Sequence, residues 1–334
     1  MRMALLPALL LLLVPNGAWA ADVSVRLLTR AEASTALTDG AAQGYYAQLQ
    51  LPEMRAKTAL PLRDLEPGAA RAAASKAYGA ATLDFTDDER AALQDAVGSM
   101  QSVLSARAPL YARTPWCFIK VNATIEGGLP HTRGACIVLA EGPLQALVKA
   151  HAKTRFDQPS GVWDLLLHEQ THVLQRMNPA LFTSLYTQVF GFQQVDIQPP
   201  DWLRMRRVIN PDAPRVEWIY PIGKEAARHW ILPDLELLEL DHPQMPADFK
   251  VVALNVHELE GHRWALDDVA MPPAQTDLES VSEYVDAFPV KGEAFHPNEI
   301  AAEMMAEILT GGRMQNPDHP LWAKAKSWAD QSLR

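Results

Sequence analysis

The chain has 334 residues, with 30 Lys and Arg against 40 Asp and Glu, for a formal net charge of −10. That sign excludes nucleic acid and anionic membrane surfaces as partners, because both recruit basic patches. The length suits one large domain or two modest ones, with enough apolar residues to bury a core.

Residues 1–20 read as a secretory signal peptide: Arg2 is followed by an apolar stretch at 4–14 and by Ala18-Trp19-Ala20, a small-x-small site before Ala21. The apolar stretch is too short for a retained anchor. The expected mature chain is exported, periplasmic or secreted, with no stable membrane anchor after signal removal. Residues 21–113 are rich in Ala and read as a helical N-terminal region. Its clearest element is a helix at 87–106, with Thr86 and Glu89 placed to form a capping box and Leu93, Val97, Met100 and Leu104 recurring along one face.

Residues 114–334 are expected to form the second region. It opens with two strand-like runs, 116–121 and 134–139, which carry Cys117 and Cys136, the only 2 cysteines. Export favours a disulfide stapling the two runs as a hairpin; two buried free thiols are the alternative. A helix is expected at 141–150, then an amphipathic helix at 162–177, then another at 179–190 with Asn178 as its N-cap. From 196 to about 268, prolines punctuate short strand-like runs, which read as a β-rich insertion rather than a domain of its own. Within it, 250–259 pairs with 262–268 across Glu260-Gly261. His257 and His262 sit on that hairpin five residues apart and read as surface or substrate-side residues. Helical spacing returns at 297–309, stopped by Gly311-Gly312, with Glu299, Glu303 and Glu307 at successive intervals of four.

The helix at 162–177 contains His168-Glu169-Gln170-Thr171-His172, an H-E-x-x-H arrangement. Residues four apart on an α-helix are separated by about 40° net and about 6 Å of rise, so both imidazoles project from one face and can grip one metal ion. Glu169 points about 100° away from His168, where it can reach a water on that metal and serve as general base. A catalytic zinc site needs three protein ligands and an open fourth position. A third His six residues after the second is excluded, because Asn178 stands there.

The run His296-Pro297-Asn298-Glu299-Ile300-Ala301-Ala302-Glu303 resembles the N-E-x-x-x-[DE] element of gluzincin metallopeptidases, which share a thermolysin-like active-site plan. The resemblance implies an α+β, zincin-like fold with one zinc ion held by His168, His172 and Glu299. Glu303 would be the carboxylate that orients His168. It further implies that 132–139 is an edge strand pairing with an extended substrate. The oxyanion donor in that family is a Tyr or His outside the motif, for which Tyr284, His296 and Tyr220 are candidates. The chain departs from the pattern in having Glu at 303 and a long insertion between His172 and Glu299. The expected function is an exported zinc peptidase acting on a peptide or protein substrate. Three alternatives stay open: Glu303 as ligand with Glu307 behind it, a non-catalytic zinc-binding scaffold, and a di-iron site using Glu169-x-x-His172 and Glu293-x-x-His296.

Overall fold

A computed structural model describes residues 24–62, 65–156, 160–213, 217–260, 263–267, 276–290, 294–312 and 314–334. The expected signal segment lies outside them, as do His262 and Glu293. Strand β1 (Val25–Leu27) and helices α1 (Arg30–Thr38), α2 (Gly40–Tyr46), α3 (Leu51–Thr58) and α4 (Pro67–Ala80) precede β2 (Thr82–Leu83). Helices α5 (Asp87–Arg107) and α6 (Pro109–Arg113) lead into β3 (Trp116–Val121), β4 (His131–Arg133) and β5 (Cys136–Ala140). Next come α7 (Glu141–Thr154), α8 (Gly161–Met177) and α9 (Pro179–Ser184), the last continuing as a π-helical turn, Leu185–Phe190. A strand-rich stretch holds β6 (Gln193–Val195), α10 (Asp201–Arg206), β7 (Glu217–Ile222), β8 (His229–Leu237), β9 (Phe249–Glu258), β10 (Trp264–Leu266) and β11 (Thr276–Asp277). Helices α11 (Ser282–Ala287), α12 (Pro297–Thr310) and α13 (Pro320–Ser332) follow.

The first sheet runs β1-β3-β5-β4, with β2 also on β3. Strands β1, β3 and β5 are parallel, while β2 and β4 run against their neighbours. Every residue of β3 is buried because both of its faces are covered. Side chains alternate between the faces. Trp116 and Phe118, with Ile137 and Leu139, join a core shared with α5, α8 and α12. Cys117, Ile119 and Val121, with Val138 and Ala140, join a second core under α1 and α4. Lys120 is buried on β3 and satisfied by Glu89, whose oxygens lie 2.9 and 2.8 Å from Nζ. Glu89 also completes the capping box of α5, accepting from the Thr86 N–H at 2.8 Å while the Thr86 hydroxyl accepts from the Glu89 N–H. Because β1 and β2 belong to this sheet, the boundary expected at 113 cuts through it, and the N-terminal region is not purely helical.

Cys117 and Cys136 are disulfide-bonded with their Cα atoms 4.4 Å apart. The bond joins adjacent parallel strands, β3 and β5, and not the two arms of a hairpin as the sequence suggested. The hairpin is β4–β5, which turns at Gly134 with φ of 58°. A parallel pair needs a crossover, and the segment between β3 and β5 supplies it. Closing this loop stabilises the chain by about 3 kcal/mol in the chain-entropy model. Reduction should therefore lower the unfolding free energy by about that amount in denaturant titrations, and thiol labelling of denatured, unreduced chain should find no free cysteine. Two labelled thiols would refute the bond.

The second sheet is antiparallel, in the order β10-β9-β8-β7-β6 with β11 on β9. Strands β9 and β10 form the hairpin expected from the sequence, with Trp264 opposite Glu258. The strand-rich stretch is wider than expected, from Gln193 to Asp277. Ile219, Leu232, Val252 and Leu254 give it a core of its own, while Trp218, Ile231 and Ala253 merge with the main one. Apart from the short α10, the α-helices lie outside the stretch that forms this antiparallel sheet, consistent with the α+β class. Among the described residues no helix is long and apolar enough to cross a membrane.

Candidate metal centre and its cavity

Helices α8 and α12 pack against each other, and the site lies between them. Helix α8 buries Trp163, Leu166, Leu167, Val173 and Leu174 in the main core, which fixes its rotation and turns His168 and His172 toward α12. Helix α12 begins at Pro297, with the His296 side chain accepting from the Asn298 N–H as N-cap, so Glu299 falls in its first turn. The Nε2 atoms of His168 and His172 are 3.1 Å apart. Glu299 Oε2 lies 3.3 Å from the first and 3.2 Å from the second. In a tetrahedral zinc site with bonds of about 2.0 to 2.1 Å, neighbouring donors stand about 3.3 Å apart. The three side chains therefore fit a single metal ion, and they are the group of His, Cys, Asp and Glu among the described residues that can hold one.

The surrounding groups explain why these atoms converge. Glu299 Oε1 accepts from the side-chain amides of Asn210 and Asn298, which leaves Oε2 facing the imidazoles. The Gln175 carbonyl oxygen lies 2.8 Å from His172 Nδ1, and its amide donates to the Asn298 carbonyl at 2.9 Å. Gln175 thus directs the His172 Nε2 lone pair to the metal position and ties α8 to α12. Glu303 Oε2 stands 3.6 Å from His168 Nδ1, an ion-pair distance too long for a hydrogen bond. Glu299, and not Glu303, supplies the carboxylate oxygen that groups with the two imidazoles within 4.8 Å. Gln175→Leu is expected to weaken zinc affinity by about 10- to 100-fold, the usual cost of losing such a partner, in competition titration against a chromophoric chelator. Unchanged affinity would reduce Gln175 to a packing role.

Charge is shared tightly within the triad. Burial pushes the Glu299 carboxyl up, but His172 and His168 outweigh it and hold it well below the usual range. Burial pushes both imidazoles down, yet for His168 the Glu299 and Glu303 carboxylates raise it well above the ordinary value, and His172 is also raised, chiefly by Glu299. Cation uptake displaces imidazole protons and is favoured as pH rises. Glu169 is buried beside the triad, and its Oε2 has no hydrogen-bond partner. Burial first, then the Asp212 charge, raise its carboxyl to about 8 against the opposing pull of the two histidines. Asp212 is held by the Thr132 N–H at 2.5 Å and the Thr132 hydroxyl at 2.7 Å, so the 208–212 loop is tied to β4. Arg176, at the end of α8, donates to the Thr132 hydroxyl and the Pro211 carbonyl and fastens the same corner.

The triad opens into a cavity of about 530 Å³. His168, Glu169, Glu299 and Glu303 line it on one side, and Leu235, Met245, Pro246, Phe249 and Val251 of the strand-rich stretch line it on another. Lys57 of α3 and the 126–131 segment contribute as well, so the N-terminal helices are part of the wall. Gly127 allows the close approach of Met245: its φ is 59°, and a β-carbon there would meet Met245 Cγ at 3.1 Å and its carbonyl oxygen at 3.2 Å.

None of the three sequence candidates for oxyanion donor is among the residues that line this cavity. Tyr284 is buried in an aromatic cluster with Phe192, Tyr220 and Phe288, and its hydroxyl donates to the Ala294 carbonyl at 2.5 Å. Tyr220 belongs to the same cluster, and His296 caps α12. The aromatic spacing that drew attention to the tyrosines is core packing. His257, an exposed side chain on β9, pairs with Asp267 at 2.7 Å and does not line the cavity. The N-cap position of His296 also removes the helical geometry that a second E-x-x-H element requires. The expected edge strand is broken at Gly134, leaving only β4 at the end of the strand order. Gln175 was legible in principle, lying three residues beyond His172 on one helix. Asn210 and Asp212 sit in an Asn-Pro-Asp turn that carries no local signal of a site.

Comparison with known proteins gives no matching family model, no matching curated protein and no matching solved structure.

Proposed function

We propose that the chain is an exported zinc hydrolase that cleaves peptide bonds with a gluzincin-type active-site plan. The observation that carries this reading is the triangle of His168 Nε2, His172 Nε2 and Glu299 Oε2, with edges of 3.1 to 3.3 Å, beside the buried, unpartnered Oε2 of Glu169. A purely structural metal site has no use for such a base. Zinc, when bound, supplies Lewis acidity that polarises a carbonyl and lowers the pKa of a water toward about 7. Glu169 then takes a proton from the attacking water and returns it to the leaving amine. Gln175, Asn210 and Asn298 hold the donors in place, and Leu235, Met245, Phe249 and Val251 give the cavity an apolar wall. The N-terminal pattern and the disulfide support export.

The direct test loads the mature chain with zinc and follows cleavage of unfolded casein and a mixed peptide library. Cleavage should stop on chelation and return with zinc, and metal analysis should find about one zinc per chain. No chelator-sensitive cleavage of any peptide would leave a non-catalytic scaffold, and about two irons per chain would point to the di-iron site.

A further inference from the structure

Among the described residues that line the cavity, four buried side-chain atoms have no hydrogen-bond partner: Glu126 Oε2, His131 Nε2, Asp164 Oδ1 and Glu169 Oε2. Glu169 belongs to the chemistry proposed above, and the Glu126 oxygen is part of an ionised carboxylate and accepts. His131 Nδ1 lies 3.1 Å from the Leu129 carbonyl, which can only accept, so Nδ1 carries the proton and Nε2 presents a lone pair. Burial lowers the proton affinity of this ring, which keeps it neutral.

Glu126 and His131 stand out because they are 1% and 2% exposed and have no role in the metal chemistry. Glu126 Oε1 is taken by the hydroxyls of Tyr45 and Tyr78. Its Oε2 has only Lys57 at 3.4 Å, outside good hydrogen-bond reach. Burial pushes this carboxyl up, but the Lys57 charge, with Arg133, pulls it down more strongly, so it is ionised. The Lys57 ammonium is already spent: it donates to the Tyr45 hydroxyl and the Ile209 carbonyl, each at 2.5 Å, and pairs with Glu53 at 3.1 Å. Among the described lining residues no buried side-chain nitrogen, apart from the His131 Nε2 with its lone pair, is left unpartnered for an entering carboxylate, whereas a group bringing N–H donors would satisfy atoms that are costly to leave unpaired.

The geometry points to a substrate that carries a primary ammonium, received by Glu126 Oε2 and His131 Nε2: the N-terminus or a lysine side chain of a short peptide. This rests on the cavity being the substrate site of the hydrolase proposed above. It makes Glu126 and His131 specificity-determining residues.

The test measures binding by calorimetry to the zinc-loaded Glu169→Gln chain, so that no cleavage intervenes. The probes are four forms of one peptide, Leu-Lys-Ala amide: unmodified, N-acetylated, with norleucine for lysine, and with both changes. The unmodified peptide should bind about tenfold or more tighter than the doubly changed one, the effect of one charge-assisted hydrogen bond. Loss on acetylation assigns the site to the N-terminus, and loss with norleucine assigns it to the side chain. Glu126→Gln and His131→Phe should each flatten the difference. Removing the Glu126 charge leaves Lys57 and Arg133 less balanced. If that variant does not fold, His131→Phe decides, because it keeps a planar aromatic ring and removes the acceptor. Equal binding of all four peptides, binding of none, or undiminished preference in the folded variants overturns the inference. Wild-type chain that prefers the amines yet cleaves nothing sinks the peptidase reading alone, and indiscriminate cleavage of all four sinks only the ammonium site.

Discussion

Glu169→Gln should lower cleavage by about 10²- to 10⁴-fold, the usual contribution of a positioned acid or base, while bound zinc stays nearly unchanged. The substitution keeps the side chain's size and removes its ability to take a proton. Glu169 is not part of the His168, His172 and Glu299 triangle, so metal affinity has no reason to follow activity. Its buried, unpartnered Oε2 faces the cavity, and in the amide this position is no longer a base. Metal content by elemental analysis and turnover on the same sample check the separation. Loss of both together would make Glu169 a structural residue, and unchanged turnover would remove it from the mechanism.

Glu299→Ala should strip zinc at concentrations where the wild type remains loaded. Removing one of three ligands opens the triangle, and it also leaves the Asn210 and Asn298 amides without the oxygen that they share. Glu303→Ala should be milder, because that carboxylate stands 3.6 Å behind His168, beyond hydrogen-bond reach, and lies outside the group that could hold the ion. The comparison is made by equilibrium dialysis across a pH series. Zinc should be released on acidification in the wild type as well, since both imidazoles must then regain protons. If Glu303→Ala strips zinc and Glu299→Ala does not, the ligand register is the other one.

The features that could be read from the chain alone are those written in local spacing. A capping box and an apolar repeat place α5, because both depend on residues three and four apart. The same period places His168 and His172 on one face of α8, and it sets Glu299 and Glu303 on one face of α12, whatever those helices pack against. Alternation and prolines marked the strand-rich stretch and its β9–β10 hairpin. Long-range packing decided the rest. Nothing local says that β3 takes β5 as a parallel neighbour, and so the Cys117–Cys136 bond was placed correctly but on the wrong kind of strand pair. No period links Asn210 to Glu299, 89 residues away, or Asp212 to Thr132, 80 residues away. Nor does any bring Lys57 of α3 to the same cavity as Met245. Local spacing determines which side chains share a face, because backbone geometry repeats over a few residues. Which faces meet is set by how the two sheets and the α8–α12 pair bury their apolar surfaces together, and only that arrangement brings two imidazoles and a carboxylate to a single point.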